Sequence, residues 1–112
     1  MVSITDKEDL QNKLEEAGDK LVVLDFYALW CGPCKVMLPK FEELSQDFPD
    51  VVLLKVDVDE NEELAREYNV AAMPTFVYIK KNVILATFSG ANPDRLKKLT
   101  QEHLLGLQRH LN

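Results

Sequence analysis

The stretch Leu21-Val22-Val23-Leu24-Asp25-Phe26-Tyr27-Ala28-Leu29-Trp30-Cys31-Gly32-Pro33-Cys34-Lys35 decides the fold. Its first half, Leu21 to Ala28, is a continuous apolar run rich in Val and Phe, interrupted only by Asp25. A run of that length without polar alternation predicts a strand covered on both faces, and so the centre of a sheet. In the second half, Pro33 needs no backbone N–H and has its torsion preset for a helix start, which predicts a helix beginning in the cysteine motif and running toward Asp47. Cys31 and Cys34 are the only cysteines of the chain, and they fall at that junction of strand and helix.

Working outward, Thr5-Asp6-Lys7-Glu8 has capping-box spacing, and Leu10, Leu14 and Ala17 then share one helical face until Gly18 stops the helix. Beyond the cysteines, Met37, Leu38, Phe41 and Leu44 give the second helix its apolar side, with Pro39 predicting a kink or a break. Pro49-Asp50 turns the chain into a second buried-type strand, Val51 to Val58. Asp59 or Asn61 caps a short helix through Tyr68, which turns Leu64, Ala65 and Tyr68 inward. Thr75 to Ile79 and Val83 to Phe88, joined by Lys80-Lys81-Asn82, read as an antiparallel hairpin, with Asn82 best able to take positive φ. Ser89 to Pro93 leads into a last helix with Leu96, Leu99 and His103 on one stripe. The order α, β, α, β, α, β, β, α implies an α/β domain with parallel crossovers, a final antiparallel hairpin and helices on both faces of a mixed sheet.

The 112 residues and 46% hydrophobic content suit one domain over 1–112. A net charge of −6 and a pI near 4.8 argue against a nucleic-acid or anionic-membrane surface, which demands clustered Lys and Arg. Met1 to Glu8 lacks the basic start and apolar core of a signal peptide, and no run approaches the roughly 20 apolar residues of a membrane span. The expectation is a soluble, intracellular protein.

Two cysteines this close would close a very small loop and remove little freedom from the unfolded chain, so their bridge is a poor staple. Three positions apart at a helix start, they come within disulfide reach. The orphan N–H groups and dipole of that first turn favour a thiolate. Cys31, ahead of the helix, reads as the exposed, lower-pKa nucleophile, and Cys34, inside it, as the shielded resolving thiol. The alternative, structural zinc, needs four ligands, and the remaining candidates His103 and His110 are distant and wrongly spaced. Both histidines read as exposed residues without a special role. Asp25 is a carboxylate inside an apolar strand, where desolvation raises its pKa; it is either a proton carrier or a structural partner of Lys55 on the neighbouring strand.

Val23-Leu24-Asp25-Phe26, Ala28, Trp30 to Lys35, Lys55-Val56-Asp57-Val58-Asp59, Met73-Pro74-Thr75 and Phe88-Ser89-Gly90-Ala91, in this order, resemble the thioredoxin family over nearly the whole length. That resemblance implies a thioredoxin fold, a central mixed five-stranded sheet flanked by four helices. It implies a protein dithiol–disulfide oxidoreductase and electron carrier that serves cell redox homeostasis by reducing disulfides in client proteins. Such a protein binds no cofactor or metal and takes electrons from NADPH through a flavoprotein thioredoxin reductase. It works in the cytoplasm, with presence in the nucleus allowed, and as a monomer. Gly32 and Pro33 imply a reductant, since oxidant and isomerase relatives carry His or another residue at the Pro33 position.

By the same resemblance, Asp25 assists deprotonation of Cys34 and Lys55 modulates Asp25. Trp30 flanks the substrate groove in contact with Asp59, Pro74 is cis and faces the cysteines, the Met73 backbone pairs with an extended substrate, and Gly90 and Ala91 form the opposite wall. The alternative from another class is a thioredoxin-fold binding subunit that acts by docking, with its redox activity incidental. The chain departs from the pattern in carrying Leu29 where a polar residue is common, Asn82 for the hairpin glycine, Ala72 where some animal relatives have a cysteine, and a tail from Gly106 to Asn112 expected to fray.

Overall fold

The computed structural model describes residues 1–106; His110 and the expected fraying of 107–112 lie outside the described residues. Asp6, rather than Thr5, caps the first helix, α1 (Lys7–Ala17): its carboxylate accepts from the Asp9 N–H at 2.8 Å, and the Asp9 carboxylate accepts from the Thr5 N–H at 2.9 Å. The cap is thus one residue later than the Thr5/Glu8 spacing suggested, because Asp serves as well as Thr at the cap, and Asp9 in place of Glu8 reaches back to the Thr5 N–H, one residue before the cap.

The predicted central strand is β2 (Val22–Tyr27), paired on both edges. It runs parallel to β3 (Val52–Asp57) and antiparallel to β4 (Thr75–Lys80), which forms a hairpin with β5 (Val83–Ser89). A fifth strand, β1 (Val2–Ser3), lies parallel to β3 with Val2 opposite Leu54. Two residues show no periodicity, so the residue pattern missed it and only the family resemblance called for five strands. The sheet order is β1-β3-β2-β4-β5.

Alternation along β2 divides the core between two faces. Val22, Leu24 and Phe26 pack on one face with Leu54, Val56, Val77 and Ile79, covered by Leu10 and Ala17 of α1 and by Leu64 of α3 (Glu62–Glu67). Leu21 and Val23 pack on the other with Leu53, Phe76 and Tyr78, covered by Met37, Phe41 and Leu44 of α2 (Gly32–Asp47) and by Leu96 of α4 (Pro93–Leu105).

Four local expectations change. The second helix runs through Pro39 unbroken; Pro39 and Lys35 are both exposed, so the Lys35 carbonyl that loses its N–H partner faces water. Asn61 stands at the cap position of α3 without a side-chain cap bond, because its amide donates instead to the carbonyls of Asp57 (3.1 Å) and Ile4 (3.5 Å). The hairpin turn is two residues, Lys81 and Asn82, with φ of 53° and 64°. Both central residues need positive φ to match the strand twist, so Asn82 is not alone in taking it. His103 is half-buried rather than exposed, its ring 5.7 Å from that of Tyr78.

Candidate functional site

The end of β2 delivers the chain to the start of α2, and Cys31 is the N-cap of that helix, with φ −87° and ψ 111°. Its Sγ accepts from the Cys34 N–H at 3.1 Å, taking the place that a Ser or Asp oxygen holds at other helix starts. Pro33 lies in the first turn, where its missing N–H leaves no gap. The two sulfurs are joined in a disulfide, with Cα atoms 5.3 Å apart. A sulfur so placed faces the positive end of the helix dipole, which favours a thiolate once the bond is opened.

The expected contrast in exposure is absent: Cys31 and Cys34 are each 5% exposed. Their neighbours distinguish them instead. Cys31 Sγ lies 3.7 Å from the Met73 carbonyl oxygen, on the side where the chain enters β4. Cys34 lines an apolar cavity of about 100 Å3 together with Asp25, Tyr27, Leu29, Lys35 and Lys55. The two sulfurs therefore have different surroundings, Cys31 a backbone carbonyl and Cys34 a cavity that also holds a buried carboxyl.

Asp25 is 2% exposed, and its Oδ1 has no hydrogen-bond partner. Burial pushes its pKa up to about 7, opposed in part by the Lys55 ammonium. Lys55 is the register partner of Asp25 across β2 and β3, yet its Nζ lies over the Tyr27 ring, 5.4 Å from the centroid.

The Trp30 indole, 68% exposed, donates through Nε1 to Asp59 Oδ2 at 2.9 Å, and Asp59 is itself set by its N–H donating to Asp57 Oδ1 at 2.9 Å. Exposed Leu29 precedes it, so two large apolar side chains flank the disulfide. The Met73–Pro74 peptide bond is cis. The Thr75 hydroxyl lies 2.5 Å from the Ala72 carbonyl oxygen, to which it donates, and 2.7 Å from Ser89 Oγ. Gly90, at φ +110°, donates its N–H to the Pro74 carbonyl at 2.9 Å, which brings the end of β5 beside the proline; exposed Ala91 follows.

The fold thus brings Cys31, Cys34, Asp25, Lys55, Met73, Pro74 and Gly90 around one junction, with Trp30 and Asp59 linked at its rim. Gly32 is exposed within the first turn of α2. The sequence reading missed Tyr27 and Lys35. The signal for Tyr27 was its offset of two from Asp25, which puts both side chains on one face of β2. Among the described residues no group of His, Cys, Asp and Glu is placed to hold a metal ion, and no helix is long and apolar enough to cross a membrane.

Comparison with known proteins points the same way. A family model described as Thioredoxin matches residues 1–102. Thioredoxin from Homo sapiens is 46% identical over 99 residues, covering 88% of this chain and 94% of that protein. Thioredoxin-T of Drosophila melanogaster is 54% identical over 101 residues, covering 89% of this chain but only 64% of that longer protein. Among solved structures, Fasciola hepatica thioredoxin superposes with a TM-score of 0.89 at 45% identity, covering 92% of this chain and 99% of that one.

Proposed function

The chain belongs to the thioredoxin family, and from that premise we propose that it works as a reductant of client proteins, with Cys31 attacking and Cys34 resolving. It is a protein dithiol–disulfide oxidoreductase. The observation that carries the assignment of roles is the capping geometry. Cys31 Sγ accepts the Cys34 N–H at the head of α2, so a thiolate there inherits a donor and a favourable dipole, while Cys34 faces the Asp25 cavity.

In the reducing direction, the Cys31 thiolate attacks one sulfur of a client disulfide and expels the other as a thiolate, leaving a mixed disulfide. The Cys34 thiol passes its proton to the Asp25 carboxylate. The resulting Cys34 thiolate attacks Cys31 Sγ and releases the second client thiolate. Two electrons have moved to the client, whose thiolates take up protons, and the chain is left with the Cys31–Cys34 bond. A carboxyl with a pKa of about 7 can accept and return a proton near neutral pH.

The client lies extended against the Met73 backbone, between Trp30 with its Asp59 support and the Gly90-Ala91 wall. Gly32 and Pro33 set the turn between the sulfurs. Thioredoxin reductase, drawing on NADPH, reopens the disulfide; the chain holds no cofactor of its own. Work as a monomer in the cytoplasm fits a chain whose only cysteines are the reacting pair.

Insulin reduction by dithiothreitol, followed by turbidity, tests the reading. The wild type accelerates it strongly and Cys31→Ser hardly at all; a Cys31→Ser protein as active as wild type overturns the mechanism. Cys34→Ser accumulates covalent mixed disulfides with clients, and failure to trap any overturns its role as resolving thiol.

A further inference from the structure

We propose that Tyr27 is a positioning residue for the proton transfer, its ring holding the Lys55 ammonium off the Asp25 carboxyl. The inference rests on the reading of Asp25 as proton carrier and adds to it a reason why the nearest cation does not lock that carboxyl in its charged form.

Period two puts Asp25 and Tyr27 of β2 on one face, and the register sets Lys55 opposite Asp25 and Asp57 opposite Tyr27 on the same face of β3. Lys55 therefore stands between two partners: the carboxyl straight across and the aromatic ring one rung along the diagonal. Its Nζ is 5.4 Å from the Tyr27 centroid, within the range of a cation–π contact, while Asp25 Oδ1 keeps no hydrogen-bond partner. All three side chains line the same cavity, so the ammonium has room to reach the carboxyl if the ring is removed.

The other groups facing Asp25 do not replace this control. From α2 the cavity receives Cys34, bound in the disulfide, and Lys35, which is exposed; from β4 the register partner is the uncharged Phe76. Asp57 stands opposite Tyr27 in the register, not opposite Asp25, and the charge it adds acts on the Tyr27 phenol, whose pKa burial and then Asp57 raise. The arrangement leaves Lys55 near enough to lower the carboxyl's pKa somewhat and too far to hold it ionised.

The test is an NMR titration of the Asp25 side-chain carboxyl carbon in the oxidised protein, where neither cysteine titrates. Tyr27→Leu moves the inflection to lower pH by about half a unit or more, as Lys55 closes on the carboxyl. Tyr27→Phe, which keeps the ring, titrates as wild type. In a Lys55→Met background Tyr27→Leu leaves the inflection in place, since the cation it releases is gone.

An unmoved or raised inflection in Tyr27→Leu overturns the proposal, as does a Tyr27→Phe variant that behaves like Tyr27→Leu, or an equal shift without Lys55. If Tyr27→Leu does not fold, Lys55→Met alone decides: it raises the wild-type inflection only slightly if the ammonium is held on the ring, and by a unit or more if it sits at the carboxyl. Because the disulfide stays closed, these readings do not depend on turnover. A shifted inflection with an unchanged rate of resolution by Cys34 would overturn the reading of Asp25 as proton carrier, and with it the part of Tyr27 in proton transfer, while leaving the ring's hold on Lys55 established.

Discussion

Tyr78 and Asp25 are polar side chains buried on the same face of the sheet, since Tyr78 is the register partner of Val23, two residues before Asp25 on β2. The Tyr78 hydroxyl donates to the Leu96 carbonyl at 2.8 Å and meets Thr100 Oγ1 at 3.1 Å, and Thr100 donates to the same carbonyl at 2.7 Å. Asp25 Oδ1 has no such partner. Burial raises the pKa of both. For the phenol this only moves ionisation further from neutrality, whereas for the carboxyl it brings ionisation to about pH 7. A satisfied buried polar group fastens β4 to α4; an unsatisfied one stores a protonation equilibrium at the site.

The contrast is sharpest in the pH dependence of stability. Asp25 has a folded pKa of about 7 against 3.8 for an ordinary aspartate, so the folded state holds the proton longer than the unfolded chain. The stability linked to that proton is fully present below the unfolded pKa and is lost as pH rises through about 7. A difference of roughly three units corresponds to at most about 4 kcal/mol. Urea unfolding of the oxidised wild type at pH 4 and pH 8 should show this fall, and Asp25→Asn should lack it; parallel pH curves for the two proteins would break the comparison.

A smaller effect is expected on the chemistry. Asp25→Asn should slow resolution by Cys34 at pH 7 by about 100-fold, the lower end of what a positioned proton acceptor contributes. Stopped-flow measurement of mixed-disulfide decay checks this, and an unchanged rate would return Asp25 to a structural role.

The smallest effect belongs to the other residue. Tyr78→Phe should cost about 1–2 kcal/mol of stability, because Thr100 and Leu96 lose a buried partner. That loss should be the same at pH 4 and pH 8, with insulin reduction unchanged. A pH-dependent loss or a loss of activity would show that the two residues are less distinct than their hydrogen bonding indicates.

Much of this was legible in the sequence for identifiable reasons. The cysteine pair stood out because no other cysteine competes with it, and Asp25 because a carboxylate inside an apolar run must be either paired or titratable. The longer helices declared themselves by period and caps, and the central strands by unbroken apolar runs. What escaped depends on distances that period does not encode. The two-residue β1 has no pattern to read. The shift of the cap from Thr5 to Asp6 turns on which of two adjacent oxygens reaches an N–H. The equal burial of Cys31 and Cys34 depends on the loop around Met73, 42 residues away in sequence. The pairing of Lys55 with the Tyr27 ring requires the register of two strands, which fixes the diagonal neighbour as well as the direct one.

The place of β2 between β3 and β4 also bears on how the chain is made. Synthesis delivers β1, α1, β2, α2 and β3 first, so the parallel half of the sheet has its strands before β4 exists. Until Lys80 leaves the ribosome, the edge of β2 that will pair with β4 carries open backbone groups on the apolar segment Val22 to Phe26. An exposed apolar edge of that kind is a template for association between nascent chains. The strand that positions the carboxyl of the site is thus also the one that the growing chain must shield until the last hairpin arrives.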